Sequence, residues 1–184
     1  MTEVRTPLPR RLNAGCGHDV RPGWVNLDAS PLPGVDVVHD LEQLPWPFPA
    51  NQFDEIHLIN VLEHLTDTIR IMEELYRIAA AKASLVIRVP YWNSPDAISD
   101  PTHKAVFNEH TFDFFDPTTR YGRERSYYTA ARFRIRRISF YGCLSEHLPY
   151  PKITWAPLKL VMRLLARHLG GIIWVEEVEL EALK

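Results

Sequence analysis

The stretch Arg11-Leu-Asn-Ala-Gly-Cys-Gly-His18 decides how the rest of this chain is read. Small and apolar residues run straight into Gly-x-Gly, the pattern of a strand ending in a turn where the backbone must come close to something. Glycine suits such a turn because it has no Cβ to clash and accepts a positive φ. Val25-Asn-Leu-Asp28 follows, a short apolar run that ends in a carboxylate. A glycine turn after one strand and an acid at the end of the next is a geometry that holds a nucleoside. The glycines admit the ligand, and the acid accepts hydrogen bonds from both ribose hydroxyls. Gly-x-Gly alone is common in turns; its position between two predicted strands gives it weight.

Outward from this stretch, strands are predicted over residues 11–14, 24–28, 35–38, 53–59, 84–90, 131–141 and 172–180. Residues 1–10 read as a tail or a cap on the sheet edge. The segment between Gly17 and Trp24 is too short and too rich in breakers for a full helix. Leu44-Pro-Trp-Pro-Phe-Pro49 is expected to be an ordered loop with aromatic anchors, since proline removes donors and fixes φ. Thr66 or Asp67 is predicted to cap a helix to about residue 81, with Ile69, Met72, Leu75, Tyr76 and Ala79 on one face. A short helix is expected over 108–115 and an amphipathic one over 157–169, ending at Gly170-Gly171. Alternating strands and crossovers indicate a single α/β domain, residues 1–184, with a mainly parallel sheet. Arg132, Arg134, Arg136 and Arg137 alternate with apolar residues and read as a solvated strand face or a docking patch.

Composition narrows the class. The 184 residues suffice for one sizeable core, and the net charge of -2 gives no general affinity for DNA. Two cysteines, Cys16 and Cys143, build no metal cluster of their own, and their scarcity favours a reducing compartment. No apolar run approaches the ~18 residues of a membrane span, and the first residues lack a signal-peptide core. A cytoplasmic protein is expected, with no membrane partner. The apolar face around Ile153–Leu165 suggests a homodimer.

Taken together, Leu12-Asn-Ala-Gly-Cys-Gly17, Asn26-Leu-Asp28, His39-Asp-Leu41, Phe53-Asp54 and Val61-Leu-Glu-His-Leu65 resemble a class I S-adenosylmethionine-dependent methyltransferase, over about residues 11–90. Asp100-Pro-Thr-His-Lys104 with Phe107 and Thr111-Phe112 also resembles small bacterial members of that family. The resemblance implies a Rossmann-like, doubly wound, seven-stranded sheet and S-adenosyl-L-methionine as cofactor. It implies that Gly15 and Gly17 admit the methionine moiety, with Asn13, Ala14 and Cys16 in the same wall. Asp28 would bind the ribose, Asp40 and Leu41 the adenine, and Asn60 would close over the methionine end. Many members carry an acid where Asn13 stands.

The activity implied is methyl transfer to O or N of a small-molecule or carbohydrate-like metabolite. A catalytically inactive methyltransferase-like scaffold is the alternative, and an RNA methyltransferase is less favoured. A hydroxyl acceptor needs a base, and histidine is suited to it. His64 reads either as that base or as half of a structural Glu63–His64 pair. His103 reads either as the base or as a fixture of its loop. His18 is a candidate cover for the cofactor, while His57 and His110 read as sheet-face and surface residues. Tyr91, Trp92 and Phe107 read as acceptor-pocket walls or as ordinary core, within a segment, 91–128, taken as the acceptor-site insertion. Some relatives complete Glu-x-x-Glu-His with a later histidine and bind a divalent ion. Here Asn60 stands in place of the first carboxylate, too few oxygens for a hard ion, so no metal is expected.

Overall fold

A computed structural model describes residues 10–142 and 151–184; residues 1–9 of the expected tail or cap, and Cys143, lie outside them. The strands β1 (Arg11–Ala14), β2 (Val25–Asp28), β3 (Val37–Val38) and β4 (Phe53–Ile59) are followed by helix α1 (Thr68–Ile78) and the long β5 (Ala79–Pro90). Short helices α2 (Pro95–Ser99) and α3 (Arg120–Glu124) precede β6 (Phe133–Tyr141), β7 (Lys152–Ile153), α4 (Ala156–Ala166) and β8 (Val175–Ala182). They form one eight-stranded sheet in the order β3-β2-β1-β4-β5-β8-β6-β7. The first five strands in that order are parallel, and β8, β6 and β7 join antiparallel. The eighth strand, against seven expected, is β7, a two-residue edge pairing with Phe140 and Tyr141.

Helix α1 starts where Asp67 accepts a hydrogen bond from the Arg70 N–H at 3.0 Å, a side-chain cap. It buries Ile71, Met72, Leu75 and Ile78 against Leu12, Ile56, Leu58, Leu85 and Ile87 of the sheet. Each such side chain contributes roughly 1.5–3 kcal/mol relative to exposure. The helix ends at Ile78, three residues before the expected end. Ala79-Ala80-Ala81 favours helix by propensity, but Ala79 pairs with Phe53, and that pairing draws the alanines into β5. Tertiary pairing also corrects the expected helix over 108–115: only a 3-10 turn, Phe112–Phe115, forms there, and it buries Phe112 and Phe115. Strand β8 begins at Val175, later than expected, because Gly171 and the Trp174 region form a turn packed near Asn93.

Alternation along β8 separates two faces of the sheet. Val178 and Leu180 enter the core, while Glu177, Glu179 and Glu181 point the other way. The arginines of β6 find partners there: Arg136 meets Glu181 at 2.6 Å and Arg137 pairs with Glu179, both exposed. These two form a solvated face of ion pairs, which contribute about 0–1 kcal/mol each; Arg134 instead lies 3.8 Å from Asp116, and Arg132 donates to backbone carbonyls of Ser126 and Ala131. On the core side, α4 buries Met162 and Ala166 against Phe140, Tyr91 and Ile173, and leaves Leu158, Leu160, Val161 and Leu164 exposed. No helix among the described residues is long and apolar enough to cross a membrane.

Candidate active site

The parallel strands direct their carboxyl ends to one edge, where open α/β sheets hold ligands. The turn after β1 lies there. Gly15 has φ +67°, and a Cβ on it would come within 2.8 Å of Cγ1 of Val61, in the turn after β4. Only glycine fits, and its backbone presses the two turns together. Gly17 has φ +49° with open space around it. Its N–H donates to Oδ2 of Asp28 at 2.8 Å, and the other Asp28 oxygen accepts from the Ser30 N–H at 2.9 Å. The carboxylate is thus fixed across the mouth of the glycine turn.

No helix joins β1 to β2. A loop does, and buried asparagines hold it. Asn13 donates to the Asp19 carbonyl at 2.6 Å and to Asn26 Oδ1 at 3.3 Å; that same Oδ1 accepts from the Arg21 N–H at 2.9 Å. Asn13 is 2% exposed and Ala14 and Cys16 are buried as well, so the turn presents backbone, not these side chains. Burial also raises the Cys16 thiol, with the Asp28 charge adding to it. Asp40 is exposed and its side chain accepts from the Glu42 N–H at 2.9 Å; Leu41 is buried and its carbonyl accepts from the Trp46 indole at 3.0 Å.

Across the turn after β4 lies a cavity of about 400 Å³, lined by Asn60, Glu63, His64, Arg88, Asp96, Asp100, His103 and Tyr141 among others. Asn60 takes the left-handed region, φ +54°, so the chain turns sharply off the strand. The 3-10 turn Leu62–His64 follows. The returning segment is anchored on it, since the N–H groups of Lys104 and Ala105 both donate to the Glu63 carbonyl. This places the His64 and His103 rings 4.7 Å apart, edge to face.

Their hydrogen bonds fix the neutral tautomers. The Thr102 hydroxyl gives its proton to Asp100 Oδ1 at 2.6 Å, so it accepts from His64 Nδ1 at 2.9 Å. His103 Nδ1 donates to the Ala97 carbonyl at 3.2 Å. In both neutral rings Nε2 keeps its lone pair. The Thr102 hydroxyl and N–H hold Asp100 below the usual carboxylate range. Burial pushes Glu63 up to about 7.

The structure therefore brings Asn60, His64 and His103 into one chamber, joined to the glycine turn through Val61. Tyr91, Trp92 and Phe107 do not line it. Tyr91 is 2% exposed and its hydroxyl donates to Glu109 at 2.6 Å; Phe107 is core and stacks on Phe112; Trp92 is exposed elsewhere. His57 lies on the sheet between Arg21 and Glu55, His110 pairs with Asp113, and His18 is exposed. Chamber residues that the sequence reading passed over include Arg88 and Tyr141. Arg88 had a signal, a lone charge in the apolar run Ser84–Pro90. Tyr141 had none, because its place depends on β8 inserting between β5 and β6.

Residues 4–87 match the family described as methyltransferase domain. Among solved structures, the fold is similar to an S-adenosylmethionine-dependent methyltransferase from Archaeoglobus fulgidus, at 20% identity and TM-score 0.59, over 95% of this chain and 88% of that one. It is similar to a possible histamine N-methyltransferase from Thermotoga maritima, at 14% identity and TM-score 0.56, over 92% and 80%. A putative sarcosine dimethylglycine methyltransferase from Galdieria sulphuraria gives 12% identity and TM-score 0.55, over 95% and 78%. No curated protein matches the chain by sequence. With the glycine turn and Asp28 in place, the chain has the fold of S-adenosylmethionine-dependent methyltransferases and, over residues 4–87, the signature of a methyltransferase domain.

Proposed function

We propose that the chain transfers the methyl group of S-adenosylmethionine to O or N of a small-molecule or carbohydrate-like acceptor held in the chamber beside His64 and His103. The observation that carries this reading is the junction of the two turns: Gly15 packs on Val61, and Glu63 and His64 follow directly. A cofactor seated on the glycine turn with its ribose at Asp28 directs its sulfonium end toward Asn60 and the chamber. The sulfonium is already activated, so in-line placement of the acceptor supplies much of the rate. The lone pairs on Nε2 of His64 and His103 make this the proton-accepting end. Asp96 and Asp100, which line the same chamber, supply carboxylate acceptors for a hydroxylated or amine substrate.

The test is a screen for S-adenosylhomocysteine release over hydroxylated and amine-bearing small molecules, with His64→Ala and His103→Ala as controls. Turnover that either variant suppresses supports the reading. Cofactor binding without turnover on any acceptor supports instead a methyltransferase-like scaffold.

A further inference from the structure

We propose that Glu63, His64 and His103 together bind one divalent first-row transition ion whose open positions face the chamber and take an oxygen of the methyl acceptor. This deepens the function proposed above and rests on it for the acceptor, though not for the ion.

One ligating atom from each of the three residues lies within 4.8 Å of the others. Glu63 is 1% exposed, and neither carboxylate oxygen has a hydrogen-bond partner among the described residues. Burying a carboxylate without partners is costly, and neighbouring groups ordinarily resolve it. The imidazoles do not. Each commits its Nδ1 proton outward, His64 to Thr102 and His103 to the Ala97 carbonyl. With Nδ1 of each ring committed, Nε2 is the nitrogen each imidazole has left for an ion, and His103 Nε2 also lies 4.0 Å from Asp100 Oδ2.

The cations nearby are engaged elsewhere. Arg88 pairs with Glu177 at 2.6 Å and Lys104 with Glu42 at 3.0 Å. Outward Nδ1–H bonds to a hydroxyl and a carbonyl are the supports that orient ligating histidines. Two imidazoles and one carboxylate, with positions left open, suit Zn²⁺ and Fe²⁺. Mg²⁺ and Ca²⁺ demand more oxygen. The absence of a carboxylate at Asn60 therefore disfavours a hard ion while leaving a borderline one well provided.

Bound through the ion, an acceptor hydroxyl becomes more acidic and releases its proton to water. Its oxygen attacks the methyl carbon as the C–S bond breaks. The bonding pair stays on sulfur, and S-adenosylhomocysteine departs. The imidazoles then serve as ligands and not as free bases.

The experiment titrates the tag-free, chelator-stripped chain with Co²⁺, read by its visible absorption, and displaces it with Zn²⁺. S-adenosylhomocysteine binding, measured in parallel, reports that each variant is folded. One Co²⁺ per chain is expected, displaced by Zn²⁺ and not by Mg²⁺. Glu63→Gln and His103→Ala are each expected to weaken it by about tenfold or more, while S-adenosylhomocysteine affinity changes by less than about twofold. Sub-stoichiometric Co²⁺ uptake, or uptake that both variants leave unchanged, would overturn the site. Metal binding through the three residues with no S-adenosylhomocysteine binding would uphold the site and sink the methyltransferase reading. S-adenosylhomocysteine binding with no metal would do the reverse.

Discussion

At the glycine end of the cleft, the Gly17 N–H meets Asp28 and the Asn13–Asn26 pair pins the loop behind them; every participant falls between residues 13 and 28. At the histidine end, Glu63 and His64 follow β4, whereas Thr102 and His103 arrive from beyond β5, and Arg88 and Tyr141 come from two further strands. The first end is made of backbone and is closed by a few local bonds. The second is made of side chains gathered over some eighty residues of chain. Backbone approach serves a cofactor of fixed shape. Side chains drawn from several elements serve a partner that differs from one relative to the next, because a change in one segment redraws the chamber without touching the cofactor seat.

The largest effect is expected at the contact that joins the ends. Gly15→Val forces a branched side chain into Val61 at a positive φ. It should abolish detectable cofactor binding and lower the melting temperature, both measurable by thermal shift with and without S-adenosylhomocysteine. Unchanged binding would mean that the two turns are not coupled.

Separating the ends comes next. His103→Ala should lower kcat by about 100-fold or more and leave S-adenosylhomocysteine affinity nearly unaltered, checked by turnover and calorimetry on one preparation. A matched loss in both would merge the two ends into one site.

Loosening the loop behind the glycine turn is a smaller change. Asn13→Ala removes donors to Asp19 and Asn26, and should cost about 1–3 kcal/mol of stability in denaturant unfolding. Cofactor affinity should fall with it, while Co²⁺ uptake at the histidine end should persist.

The last expected effect is a slope in pH, with no bearing on either end of the cleft. Glu176 is fully buried beyond the chamber, facing Glu109, Arg163 and Asp113, and burial raises it from 4.5 to about 8. A raised carboxyl binds its proton in the folded chain and loses it in the unfolded one between those values. Stability should therefore decline as pH rises from about 5 to 8. Glu176→Gln should reduce that slope, leaving the part below about 7 that the raised Glu63 supplies; a wild-type profile already flat there would contradict the assignment.

Legibility followed the same divide between the two ends. The strands β1, β2 and β4, the glycine turn and Asp28 could be read because each is a local pattern with one meaning: period, breaker, terminal acid. The absence of a helix after Gly17 could be read because seven residues with proline and glycine leave no room for one. The acceptor end was half visible. His64 and His103 were candidates by residue type, but only the sheet order and the Lys104–Glu63 anchor bring their rings together. Which aromatics border a cavity was not legible, since an aromatic in sequence looks alike whether it packs inward or forms a wall: Tyr91 and Phe107 stay out of this chamber, and Phe107 borders a second cavity with Thr111, Phe114 and Tyr128. The alanines at 79–81 show the same limit for fold, where strand pairing overrode helix propensity.

The most direct measurement is calorimetric titration of the purified chain with S-adenosylhomocysteine, wild type against Asp28→Ala. The account predicts one site per chain for the wild type and loss of that binding when the carboxylate held by Gly17 is removed. Equal affinity in the two proteins, or no binding by the wild type, would contradict the placement of the cofactor on the glycine turn.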